Sequence, residues 1–147
     1  MTSGKRPIRT CRHEAAHAIV AEVLGYTVLK VVIRGAQDGF NDIASRYKAV
    51  DPLRMGTVYA AGLAAEMRWH RASPRRISAS DGQEIHKLGF RGRSKATVLA
   101  IARGLVEEHH GAIDCLAHIL KVRDVKGREV SKVLRAWKEA AKCPEDY

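Results

Sequence analysis

The chain has 147 residues, 46% of them apolar, and a formal net charge of +10 from 26 basic and 16 acidic side chains. That length suits one domain, 1–147, with a sizeable core, and that balance belongs to a soluble globular protein rather than a disordered or fibrous one. No apolar run approaches the ~18–20 residues of a membrane span, the N-terminal MTSGKRPIRTCRHE lacks the apolar stretch of a signal peptide, and three cysteines without paired spacing (Cys11, Cys115, Cys143) exclude a disulfide framework and point to the reducing cytoplasm.

A first helix is predicted over about 7–24. Ile8, Cys11, Ala15, Ile19 and Val23 recur at helical spacing, and Gly25 is a natural stop. TVLKVVIRG (27–35) is β-branched, short and closed by glycine, and reads as a strand. The next residues are turn-rich, with a second, weak strand expected near Ala44–Lys48. DPLRMGTVYAAGLAAEMRWH (51–70) opens with Asp51 as N-cap and Pro52 at the first helical position. Its small residues Ala60, Ala61, Gly62, Ala64 and Ala65 allow another element to pack close.

RASPRRI is a basic loop. SASDGQEIHKL reads as a short helix, with Ser80 and Gln83 in capping-box register. Three helices follow over about 94–142, the first capped by Ser94. CPEDY is a loose end. The fold class expected is mainly α with a small β element (α+β).

Within the first helix lies CRHEAAHAIV (11–20). Positions i and i+4 share a helix face, so His13 and His17 can direct two imidazole nitrogens at one point, as zinc requires. Glu14 lies about 100° round the helix from His13 and can reach a water at such a metal. The pattern suits metal-assisted attack on a carbonyl, and about 0.02 chance matches are expected in a chain of this composition. The bland alternative is a helix whose histidines only make hydrogen bonds. A catalytic zinc needs a third ligand from downstream. Glu66, Asp81, Glu84 and His86 all qualify, and spacing alone does not choose.

HEAAHA resembles the HEAGHA motif of the FtsH-type peptidases, the proteolytic domains of membrane-bound AAA proteases. In the same order, VLKVVIRG resembles the strand after that family's zinc helix, AAGLAAE its GGRAAEE segment, and ISASDGQEI its TTGASNDL, whose aspartate is the third ligand. LVEEHHGAIDCLAHILKVRDVKGREVSKVL resembles the family's C-terminal helices. The resemblance covers roughly 9–135. It implies one Zn²⁺ per chain held by His13, His17 and Asp81, with Glu14 as general base. Glu66 matches a family glutamate that is not a ligand, and Glu84 remains a possible supporting or alternative one. The chain departs from the pattern at Ala16 and Leu63, where the family has glycine and arginine, and at Ser80-Asp81-Gly82, which leaves a one-residue ambiguity. No GxxxxGK[ST] loop is present, hence no ATPase motor.

The expected activity is ATP-independent hydrolysis of unfolded or flexible polypeptides by a zinc metallopeptidase. The competing reading is a catalytically weak or inactive peptidase-fold binding or regulatory module, either docking to nucleic acid through its positive surface or acting as an adaptor. Basic residues spread along the whole chain and only 5% aromatic content make nucleic acid the weaker partner. No membrane partner is expected, and the oligomeric state is open. VLKVVIRG is expected to border the cleft as an edge strand on which substrate pairs. Arg68, Arg71, Arg75 and Arg76 offer a basic loop beside it. His109-His110 face different ways and make a poor chelate. His70 and His118 read as surface or capping groups, and Trp69 and Trp137 as core.

Overall fold

The computed structural model describes residues 6–35, 38–44 and 51–142. Among these, six helices and a three-stranded antiparallel sheet form a mainly helical α+β arrangement. The elements run α1 (Ile8–Val23), β1 (Thr27–Gly35), β2 (Asp38–Ala44), α2 (Pro52–His70), α3 (Ala79–Lys87), α4 (Arg93–Glu108), α5 (His110–Leu120), β3 (Val125–Lys126) and α6 (Gly127–Lys142). None of the described helices is long and apolar enough to cross a membrane.

α1 is the central element. The predicted stripe is there, but burial goes further round the helix: every residue from Glu14 to Ala21 is buried. The alanines at 15, 16, 18 and 21 leave room for α2, α5 and the sheet to approach from different sides. Ile19 and Val20 supply the apolar bulk, each fully buried, and burial of such a side chain contributes roughly 1.5–3 kcal/mol. The helix ends as expected, with Gly25 at φ +93° and its N–H donating to the Glu22 carbonyl. Packed between α1 and α4, α2 buries Gly56, Thr57, Val58 and the small residues from Ala60 to Ala65. Asp51 caps that helix, accepting from the N–H groups of Leu53 (3.0 Å) and Arg54 (3.3 Å).

Three local expectations are corrected. The second strand is β2, over 38–44, instead of 44–48, and 45–48 lie outside the described residues. Turn-formers such as Gly39, Asn41 and Asp42 enter a strand because they pair with β1 and lie against α1, so tertiary contact overrides propensity. The cap of α3 is Ser78, not Ser80: its hydroxyl accepts from the Asp81 N–H at 3.2 Å. The cap position of α4 is Gly92, at φ +54°, and Ser94 instead bonds back to the main chain of Arg91.

The sheet order is β2-β1-β3, which overturns β1 as an edge strand. β1 pairs with β2 along its length and with β3 through Lys30 and Val31. The edge beside the cleft belongs to β2.

Candidate metal centre

Four residues meet where α1, β2, α2 and α3 converge, in a cleft of about 980 Å³. His13 and His17 stand one turn apart on α1, with their Nε2 atoms 3.0 Å from each other. Asp81, in the first turn of α3, brings Oδ2 to 3.1 Å from His13 Nε2 and 3.3 Å from His17 Nε2. Glu14 is only 7% exposed, and its Oε2 lies 3.8 Å from His13 Nε2. Ligand atoms of His13, Glu14 and His17 all fall within 4.8 Å of one another.

The far side of each ring is engaged. His13 Nδ1 lies 2.9 Å from Glu66 Oε2, and His17 Nδ1 lies 2.6 Å from the Val58 carbonyl, to which it donates. These bonds orient both rings so that Nε2 faces the cleft, the usual support for a metal-binding imidazole. Glu66 is itself held by Arg9, whose Nε donates to Oε1 at 2.6 Å. The donor set fits zinc. Ligands about 2.0–2.1 Å from a tetrahedral ion stand about 3.3 Å apart, and the three separations here are 3.0, 3.1 and 3.3 Å.

The charges are strongly coupled. Burial pushes His13 down, but its bonds to Asp81 and Glu66 prevail and raise it to about 10. Burial likewise opposes charge on His17, and the Asp81 carboxylate overcomes it, again raising the pKa. Against its own burial, Asp81 is held far below the usual carboxylate range by the two histidines. Glu66 is lowered despite burial, by His13 and Arg9.

Of the other candidates, Glu84 lines the cleft but pairs with Lys87 (3.3 Å), and His86 is exposed. Arg76 also lines the cleft, whereas Arg68 pairs with Glu107 (2.8 Å) and Arg71 ends α2 in a left-handed conformation. His109 is buried and His110 packs on Trp137, so the two do face apart. His118 bonds the Asp114 carbonyl, and Trp69 and Trp137 pack against the core.

Sequence reasoning missed four residues that shape the site. A Cβ on Gly62 would lie 2.7 Å from His13 Cδ2 and closer still to Cε1 and Nε2. Gly39 has Glu14 against it in the same way, and Asn41 Nδ2 donates to Glu14 Oε1 at 2.9 Å. Arg9 was also passed over, although it sits four residues before His13 on α1 and that spacing points to a shared face. Comparison with family models and with curated proteins finds no match to this chain.

Proposed function

We propose that the chain is a zinc-dependent metallopeptidase of the HExxH kind, acting without ATP on unfolded or flexible polypeptides. The observation that carries the reading is the convergence of His13 Nε2, His17 Nε2 and Asp81 Oδ2 on one point, with the Glu14 carboxylate beside it. Zinc at that point supplies Lewis acidity toward a water and a carbonyl oxygen. His13, His17 and Asp81 hold it. Glu66 and the Val58 carbonyl keep the rings turned toward it. Glu14 takes the proton of the attacking water and delivers it to the departing amine. An extended substrate pairs with the outer edge of β2 through main-chain hydrogen bonds, which suits many sequences.

A second reading has one observation in its favour: Asp81 and Glu66 already satisfy the histidines, so the cluster can serve as a buried ion-pair network in a binding module. The test is zinc content and cleavage of an unfolded protein, with and without chelator, in wild type, Glu14→Gln and Asp81→Ala. The peptidase reading expects about one zinc per chain, retained by Glu14→Gln with activity reduced by at least about 100-fold, and lost from Asp81→Ala. Wild-type protein that binds no zinc and cleaves nothing overturns it. Loss of zinc from Glu84→Ala but not Asp81→Ala moves the third ligand.

A further inference from the structure

Glu14 does not stand alone on its helix; two residues of β2 receive it. Gly39 and Asn41 are two apart on a strand and so point to the same face. They pair with Ile33 and Val31 of β1, which fixes their height along the sheet. At Gly39 a Cβ would lie 2.5 Å from Glu14 Cγ and 3.0 Å from Cδ, so only a bare backbone lets the carboxylate stem lie there. At Asn41 the side-chain Nδ2 donates twice to the same residue, to Glu14 Oε1 at 2.9 Å and to the Glu14 carbonyl at 3.2 Å. Two acceptors at that end settle which way the amide faces. Its other end, Oδ1, is buried with no hydrogen-bond partner. An orphaned buried acceptor is a cost to folding that offsets part of what the two donated bonds contribute, so stability alone does not account for Asn41, and its hold on Glu14 is what singles it out.

We infer that Gly39 and Asn41 are positioning residues that seat Glu14, with Asn41 binding Oε1 and thereby leaving Oε2 as the oxygen that faces the histidine pair. The inference rests on the proposed peptidase reading for its consequence, but the seat itself is a feature of this fold. A carboxylate with one oxygen tied has fewer orientations to lose when it meets its proton, so the hold acts on the chemical step and not on substrate binding.

The test compares Asn41→Ala, the isosteric Asn41→Asp and Gly39→Ala in the full chain, each with and without Glu14→Gln. Asn41→Ala is expected to keep its zinc and lose about 10–100-fold in kcat with KM within about twofold, the usual scale for a residue that supports an active group. In the Glu14→Gln background it should cost nothing further, because its effect passes through Glu14. An equal loss in both backgrounds overturns the inference. Asn41→Asp, which keeps the shape but sets a carboxylate against Glu14 in place of the donor, should lose at least as much even where the alanine variant folds poorly; wild-type kcat in Asn41→Asp overturns it.

A readout independent of activity is the Asn41 side-chain amide in a ¹H–¹⁵N spectrum. One of its protons should be shifted and slow to exchange in wild type, and ordinary in Glu14→Ala. Identical amide signals in the two proteins overturn the seat. If wild type cleaves nothing, the peptidase reading fails on its own, and the amide spectra still decide whether Asn41 holds Glu14.

Discussion

Gly62 is the position at which one methyl group tests the whole site. Gly62→Ala puts a Cβ on the face of α2 that meets the His13 ring, 2.7 Å from Cδ2 and nearer to Cε1 and Nε2. Carbon contacts settle at about 3.5–4.0 Å, so the ring must retreat by about 1 Å. It is held against that retreat by Glu66 on Nδ1 (2.9 Å) and by Asp81 on Nε2 (3.1 Å). Zinc–ligand lengths tolerate only about 0.2 Å, so a shift of about 1 Å removes His13 as a ligand. Zinc affinity should fall by at least about 100-fold, the upper end of what losing a supporting hydrogen bond causes. The fold should survive. Alanine in a helix interior gains about 1 kcal/mol over glycine, which offsets part of the roughly 1–3 kcal/mol cost of overpacking. The assay is competition with a chromophoric chelator, alongside a far-UV thermal melt. Helical protein with zinc affinity within about threefold of wild type would falsify the tight-seat geometry of His13.

Two further outcomes follow from the same cluster. Glu66→Ala should weaken zinc binding by about 10–100-fold without abolishing it, because it frees His13 Nδ1 but removes no ligand; unchanged affinity on chelator titration means that the bond does no orienting. Zinc has to displace protons from His13 and His17, both raised, so its affinity should climb with pH above neutrality and its binding should release protons, read as a dependence of calorimetric heat on buffer ionisation. The sign for zinc-free protein is opposite: the His13 ion pairs contribute stability fully below about 6.5 and lose it as pH rises through about 10, so the melting temperature should fall over that window. A melting temperature flat across it, in zinc-free protein, speaks against the His13–carboxylate contacts.

What could be read from residue order alone was whatever depends on neighbours in the chain. The i, i+4 spacing of His13 and His17 on α1 is set by helix geometry and needs no partner. The same holds for the Asp51-Pro52 start of α2 and the β-branched run of β1, and the observed elements match. Spacing left Glu66, Asp81, Glu84 and His86 open as third ligand. Only the packing of the helices separates them: α3, docked on α2, brings Asp81 to Nε2, while α2, packed on α1, holds Glu66 on the other side of the same ring.

Where the sequence reading went wrong, local preference was outweighed by distant contact. Gly39, Asn41 and Asp42 carry turn propensity, yet they form the outer strand because β1 offers them a ladder and α1 a surface. The same pairing places β1 inside the sheet, since strand order is a property of three segments and none of them encodes it alone. The small residues of α2 announced close packing but could not say against what. That Gly62 makes room for His13, and Gly39 for Glu14, is decided by excluded volume between segments up to 49 residues apart in the chain, which exists only once the chain has folded.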